Sequence, residues 1–215
     1  LNFETEENNV DVISIESSQY FLEFIQLMLS ENTENNGGII LSENSEELEF
    51  GKAASIIINP LNVELNERKM LSKLYKEMED TVSENFYLEK AEAFSGIQIL
   101  LEKAGSALDY PISYSEEFDL SKLLKVFDVK FLENHTNNVS ERLIEYMKLA
   151  KELLHTKLFI LVHFKDYFDE KQIKLFYETA ADYKLQLLLI ERYAYPAAAG
   201  ERNYIIDKDQ CLIYY

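Results

Sequence analysis

Lys157-Leu158-Phe159-Ile160-Leu161-Val162 and, further along, Leu185-Gln186-Leu187-Leu188-Leu189-Ile190 decide the fold of this chain. Both are apolar almost without interruption, which is the pattern of strands covered on two faces rather than one. Between them Asp169, with Gln172 three positions on, opens a segment carrying Ile173, Phe176 and Tyr177 at helical spacing. Strand, helix, strand with continuous apolar strands predicts a parallel sheet. Tyr204-Ile205-Ile206 and Cys211-Leu212-Ile213-Tyr214 then read as a hairpin closing around Asp207 to Gln210.

The N-terminal end reads the same way. Val10 to Ile15 forms a strand, and Ser17 or Ser18 caps a helix carrying Tyr20, Phe21, Phe24, Ile25, Met28 and Leu29. The Asn35 to Gly38 stretch stops it, Ile39-Ile40-Leu41 is a short strand, and Ser55 to Ile58 is a buried β-branched strand before Asn59-Pro60. From about 65 to 156 the pattern is helical. Asn66 is expected to cap a helix through Met70, Leu74 and Met78. Asp119 caps a short one through Leu123 and Leu124, and Asn138 with Glu141 opens another through Leu143 and Met147. The architecture predicted is an α/β head with a mainly parallel sheet, residues 1–62 and 157–215, and an inserted α-helical leg, residues 63–156.

The 215 residues carry 21 Lys/Arg against 39 Asp/Glu, a net charge of -18. Residues 1–51 hold twelve of those carboxylates and no Lys or Arg, so the acidity is mostly N-terminal. It marks either a solvated face or a part of the molecule that meets a different partner. At first sight it argues against nucleic acid. Six glycines, at 37, 38, 51, 96, 105 and 200, match neither a dinucleotide fingerprint nor a phosphate loop. One cysteine excludes an intramolecular disulfide and a thiolate-rich zinc site, and Cys211 is expected to be a buried thiol. No run is long enough to span a membrane and Leu1-Asn2-Phe3 is no secretory leader, so a cytoplasmic setting is expected.

Catalytic constellations are scarce. His135, His155 and His163 have neither metal-pair spacing nor a Ser or Cys partner, and read as surface or structural residues. Glu116, Glu117 and Asp119 crowd one loop. Such a group either favours the start of a helix or supplies hard oxygens to a cation such as calcium. Lys69, Lys73 and Lys76 share a helical face, and Lys122, Lys125, Arg142, Lys148, Lys151 and Lys157 follow. Each has a nearby carboxylate, so a solvated face and a phosphate-tracking surface are both open. Assembly of several copies would concentrate the positive charge.

The segments Lys157 to Val162, Tyr167 to Ile173, Leu187 to Arg192 and Tyr204 to Asp207 together resemble the Csn-two family, the accessory spacer-acquisition proteins of type II-A CRISPR systems. Weaker correspondence runs through Val12 to Ile58, Leu71 to Leu74 and Leu123 to Phe127. The resemblance implies a degenerate P-loop-ATPase-like head without a working nucleotide motif. It implies a non-catalytic homotetrameric ring, stabilised by calcium, that binds double-stranded DNA ends without reading sequence and works with other CRISPR acquisition proteins. It places DNA-binding roles on Lys73, Lys125, Arg142, Lys151 and Lys157, and metal-binding roles on Glu116, Glu117 and Asp119. Two other readings stand beside it: a degenerate nucleotide-binding ATPase-like protein, and a protein-interaction module that recruits a basic partner through its acidic N-terminal face.

Overall fold

The structure, a computed structural model, describes residues 10–34, 37–115, 117–133 and 138–214. Glu116 and His135 lie outside the described residues. The chain divides into two compact units, Leu1–Leu65 with Glu133–Tyr215, and Asn66–Leu132.

The first unit is built on a six-stranded sheet: β1 (Val10–Ile15), β4 (Ala54–Ile57), β5 (Leu158–Val162), β6 (Gln186–Glu191), β7 (Glu201–Ile206) and β8 (Leu212–Tyr214), in the order β4-β5-β6-β1-β7-β8. The first five strands of that order run parallel and β8 returns antiparallel to β7. The two apolar stretches are thus adjacent central strands, with Leu158 opposite Gln186 and Val162 opposite Ile190.

Side chains alternate across a strand. Leu158, Ile160, Val162, Leu188 and Ile190 meet α1 (Ser18–Glu34) and the one-turn helix α2 (Phe50–Ala53), packing against Ile25, Met28 and Phe50. Phe159, Leu161, Leu187 and Leu189 point to the other face. There α6 (Val139–Leu153) and α7 (Glu170–Asp182) lie side by side and bury Leu143, Met147, Ile173 and Phe176. The second unit boundary therefore falls near residue 133 and not at 156. The amphipathic stripe of α6 joins the sheet unit because that sheet face needs a cover.

Local chemistry explains the ends of the elements. Ser17 Oγ accepts from the Tyr20 N–H at α1. Asp169 and Gln172 form the reciprocal capping box expected at α7. Other readings need correction. Ile39 and Ile40 are not in a strand; Leu41–Glu43 (β2) pairs with Glu46–Leu48 (β3) in a separate hairpin, turned by Asn44 and Ser45 at φ 50° and 66°. Cys211 is exposed, because it precedes the short edge strand β8 and does not enter the core.

The second unit holds α3 (Arg68–Asn85), α4 (Tyr87–Ser106) and α5 (Leu120–Val126), with α4 and α5 both packed on α3. Asn66 does not cap α3. Its amide bonds Phe131 in both directions, accepting from N–H at 2.8 Å and donating to C=O at 3.2 Å. Tyr75 adds a hydrogen bond from its hydroxyl to Val129 C=O at 3.0 Å.

Candidate nucleic-acid interface

The five basic residues singled out from the sequence do not behave alike. Lys73 stands exposed on α3 and Lys125 on α5, and neither side chain makes a hydrogen bond or ion pair with any described residue. Lys69, one turn before Lys73, is exposed as well, whereas Lys76 is bound to Asp80 at 2.7 Å, which raises its pKa. In the sheet unit all three cations are engaged. Arg142 donates to Leu61 C=O at 2.7 Å, and Lys151 donates to the carbonyls of Tyr183 and Lys184 at 2.9 and 2.8 Å, beyond the last turn of α7. Lys157 forms an ion pair with Glu43.

The partner decides what each cation can still do. Carbonyls are neutral, so Arg142 and Lys151 keep a full positive charge to present to solvent, and Lys151 also suits the negative end of α7. A carboxylate cancels the field of Lys157 at any distance beyond the pair. Sequence spacing could not separate these cases, because Glu43 lies far from Lys157 in the chain.

In the acidic loop, Asp119 is the N-cap of α5. Its Oδ1 accepts from Lys122 N–H at 3.0 Å and its Oδ2 lies 3.1 Å from Lys122 Nζ. Those two contacts hold the carboxyl below the usual carboxylate range. Glu117 is exposed, its own N–H donating to Ser115 Oγ at 3.1 Å. Both are oxygen donors of the hard type that calcium prefers. Among the described residues, no three His, Cys, Asp or Glu side chains gather as a metal cluster.

Sequence reasoning missed the buried charges of the sheet unit. Lys165, in the turn after β5, has a side chain only 3% exposed and reaches Glu201, itself 0% exposed, at 2.8 Å. Glu201 also accepts from the Tyr177 hydroxyl at 2.7 Å and the Ala198 N–H at 2.9 Å. Tyr177 is held far above its ordinary pKa by burial and by that carboxylate. Asp11 and Arg202 make a second pair at 2.7 Å. Glu191, the last residue of β6, accepts from Lys165 N–H at 3.0 Å through one oxygen; the other is buried without a partner. Burial, more than any neighbouring charge, pushes its pKa up to about 7. His163 and His155 both sit at left-handed φ, 56° and 57°, as turn residues leaving regular elements.

The connection from β1 to α1 is short, Glu16 and Ser17. Arg192 donates to the carbonyls of Ile15 and, by a short contact, Glu16. A phosphate cradle uses glycine-rich backbone with its N–H groups turned inward. Here a carboxylate and an arginine occupy the turn.

No helix of the described residues is long and apolar enough to cross a membrane. No curated protein matches the chain at a significant level. A family model described as CRISPR-associated protein (Cas_Csn2) matches residues 31–210, from the last turn of α1 to the turn between β7 and β8. The match takes in the whole helical unit and most of the sheet unit, and the chain belongs to the Cas_Csn2 family of CRISPR-associated proteins.

Proposed function

We propose that this protein is a non-catalytic, sequence-independent binder of double-stranded DNA ends, working as a homotetrameric ring in CRISPR spacer acquisition. The observation that carries the reading is family membership across both units, joined to exposed, unengaged lysines on α3 and α5. Phosphates are neutralised by cations free to approach them, and such contacts position a duplex without reading its bases. Lys73 and Lys125 are therefore the primary contacts, Arg142 and Lys151 contribute field, and Lys157 contributes little.

A net charge of -18 opposes both DNA binding and self-association of the monomer. One feature supports assembly all the same. Helix α4 has no buried residue along its length, yet it presents Leu88 and Leu100 at 71% and 65% exposure, together with Tyr87 and Ile99. An apolar helix surface of that extent calls for cover by another chain. Calcium would bind through Glu117 and Asp119, with Glu116 beside them, reducing repulsion within the acidic loop; Asp119 would exchange its Lys122 ammonium for the cation. The glycine-free β1–α1 turn supports the non-catalytic part of the reading.

The test is light-scattering mass with and without calcium, followed by duplex addition. Calcium should raise the mass to that of a tetramer. Linear duplex should then bind better than a closed circle of equal sequence, with a steep loss of affinity as salt rises. A monomer indifferent to calcium, or equal binding of circle and linear duplex, defeats the ring.

A further inference from the structure

A cavity of about 680 Å³ opens between α1, the β2–β3 hairpin and the first residues of β5 and β6. Its wall is mixed: Ile13 and Leu188 from the sheet, Phe24 and Met28 from α1, and Leu41 and Leu48 from the hairpin form an apolar part, and Ser42, Asn44, Ser45 and Gln186 a polar one. The fold accounts for the space. A parallel sheet needs cover on both faces, and beside α1 that cover is the one-turn helix α2 and two strands of three residues each. Ile40, at the rim, is 70% exposed. The volume falls within the range of roughly 300–1,000 Å³ typical of pockets that take a ligand or side chains.

The hairpin over this cavity is acidic. Glu43 is paired with Lys157, the sole cation among the lining residues, and Glu49 holds Lys52 at 2.5 Å. Glu46 and Glu47 remain exposed and make no ion pair with any described residue. The whole stretch to residue 51 contains no Lys or Arg. Such a rim repels nucleic acid and acidic lipid, and it attracts a basic chain.

We propose that the cavity receives one or two apolar side chains from a Lys/Arg-flanked peptide segment of a partner protein, with Glu46 and Glu47 meeting the flanking cations. The apolar part of the wall supplies the anchor and the acidic hairpin the selection. This surface lies in the sheet unit, away from Lys73 and Lys125 in sequence, so it goes beyond the DNA reading and either can fail alone.

The full chain is titrated into fluorescein-labelled Lys-Arg-Leu-Phe-Lys-Arg and followed by fluorescence polarisation. The controls are Glu-Glu-Leu-Phe-Glu-Glu, which lacks the cations, and Lys-Arg-Ser-Gly-Lys-Arg, which lacks the anchors. The first peptide should bind at least about tenfold more tightly than either control. The variant Ile40→Asp and the double variant Glu46→Lys/Glu47→Lys alter exposed residues and should melt like the parent by circular dichroism. Each should lower the peptide affinity about tenfold and leave duplex binding unreduced. Equal binding of either control, or full affinity in both variants, overturns the proposal. So does dodecanoate displacing the peptide at lower concentration than the unlabelled peptide itself, which would make the site one for amphiphiles. Self-association that Ile40→Asp abolishes, with no peptide bound, would assign the cavity to a second copy and equally overturn it.

Discussion

The sheet unit buries charged side chains, whereas among the described residues the helical unit buries none. In the sheet unit Lys165, Glu201, Asp11 and Glu191 are buried, and Arg142, Lys151 and Lys157 are tied to neighbouring groups. In the helical unit the cations at 69, 73 and 125 stand in solvent, and α4 buries no residue at all. A buried charge tolerates no loss of its partner, whereas an exposed one is indifferent to its own removal until a ligand arrives. The same residue types thus hold a fold together from inside in one region, and in the other they pair only at the surface, as Lys76 does with Asp80, or stand free.

The largest effect expected breaks the contrast from the sheet side. Glu201→Ala leaves the Lys165 ammonium buried, with Glu191 and the Tyr195 ring, the latter at 5.8 Å, as its remaining neighbours of note. Urea unfolding should show a loss of about 3–5 kcal/mol. Lys165→Met combined with Glu201→Leu should recover most of it, since neither charge is then stranded. Lys73→Ala in the helical unit should stay within about 0.5 kcal/mol of the parent. Equal losses at both sites would erase the distinction.

Next comes Glu191. Its folded pKa, about 7, lies above that of a carboxyl in the unfolded chain, so the folded state holds the proton to higher pH. Its favourable contribution is complete below about pH 4.5 and is lost as pH rises through about 7, up to about 3 kcal/mol in all. Glu191→Gln keeps an oxygen for Lys165 N–H and stays neutral. It should flatten the dependence of stability on pH over that window and stabilise the protein at pH 8. An unchanged slope in the variant means the titrating group is elsewhere.

These pairs also mark where the sequence stops being legible. Apolar runs announced β5 and β6, and the Asp169–Gln172 spacing announced the start of α7, because both signals are local. β7 was visible only from Tyr204 onward. Its first three residues, Glu201-Arg202-Asn203, look like a surface loop; they are strand through parallel pairing with Val10 to Val12, with Arg202 meeting Asp11 and Glu201 meeting Lys165. The sequence predicts hairpin closure of β7 on β8 but not the parallel pairing of β7 with β1, Val10 against Glu201. Likewise the basic residues could be found by counting, but whether each faces a carboxylate, a carbonyl or water depends on contacts far apart in the chain.

On the helical side, Lys73→Glu with Lys125→Glu should weaken duplex binding by roughly tenfold per site and lessen its salt dependence. Lys157→Ala combined with Glu43→Gln removes the pair at no change of net charge and should alter affinity little. A larger loss in that double variant than at Lys73 would move the DNA surface onto the sheet unit and invert the comparison.

The smallest change tested is Asp119→Asn, and its value lies in separating two roles of one carboxylate. As the cap of α5, Asp119 uses one oxygen to accept from Lys122 N–H, and asparagine caps about as well. Helicity and thermal melting without metal should therefore be unchanged. As a calcium donor it needs its negative charge, which asparagine lacks. Under the proposed function, the calcium-dependent rise in light-scattering mass should be lost or shifted to much higher calcium in this variant. Were that rise to persist undiminished, Asp119 would be a cap and nothing more, and the proposed calcium ligation by this residue would fail.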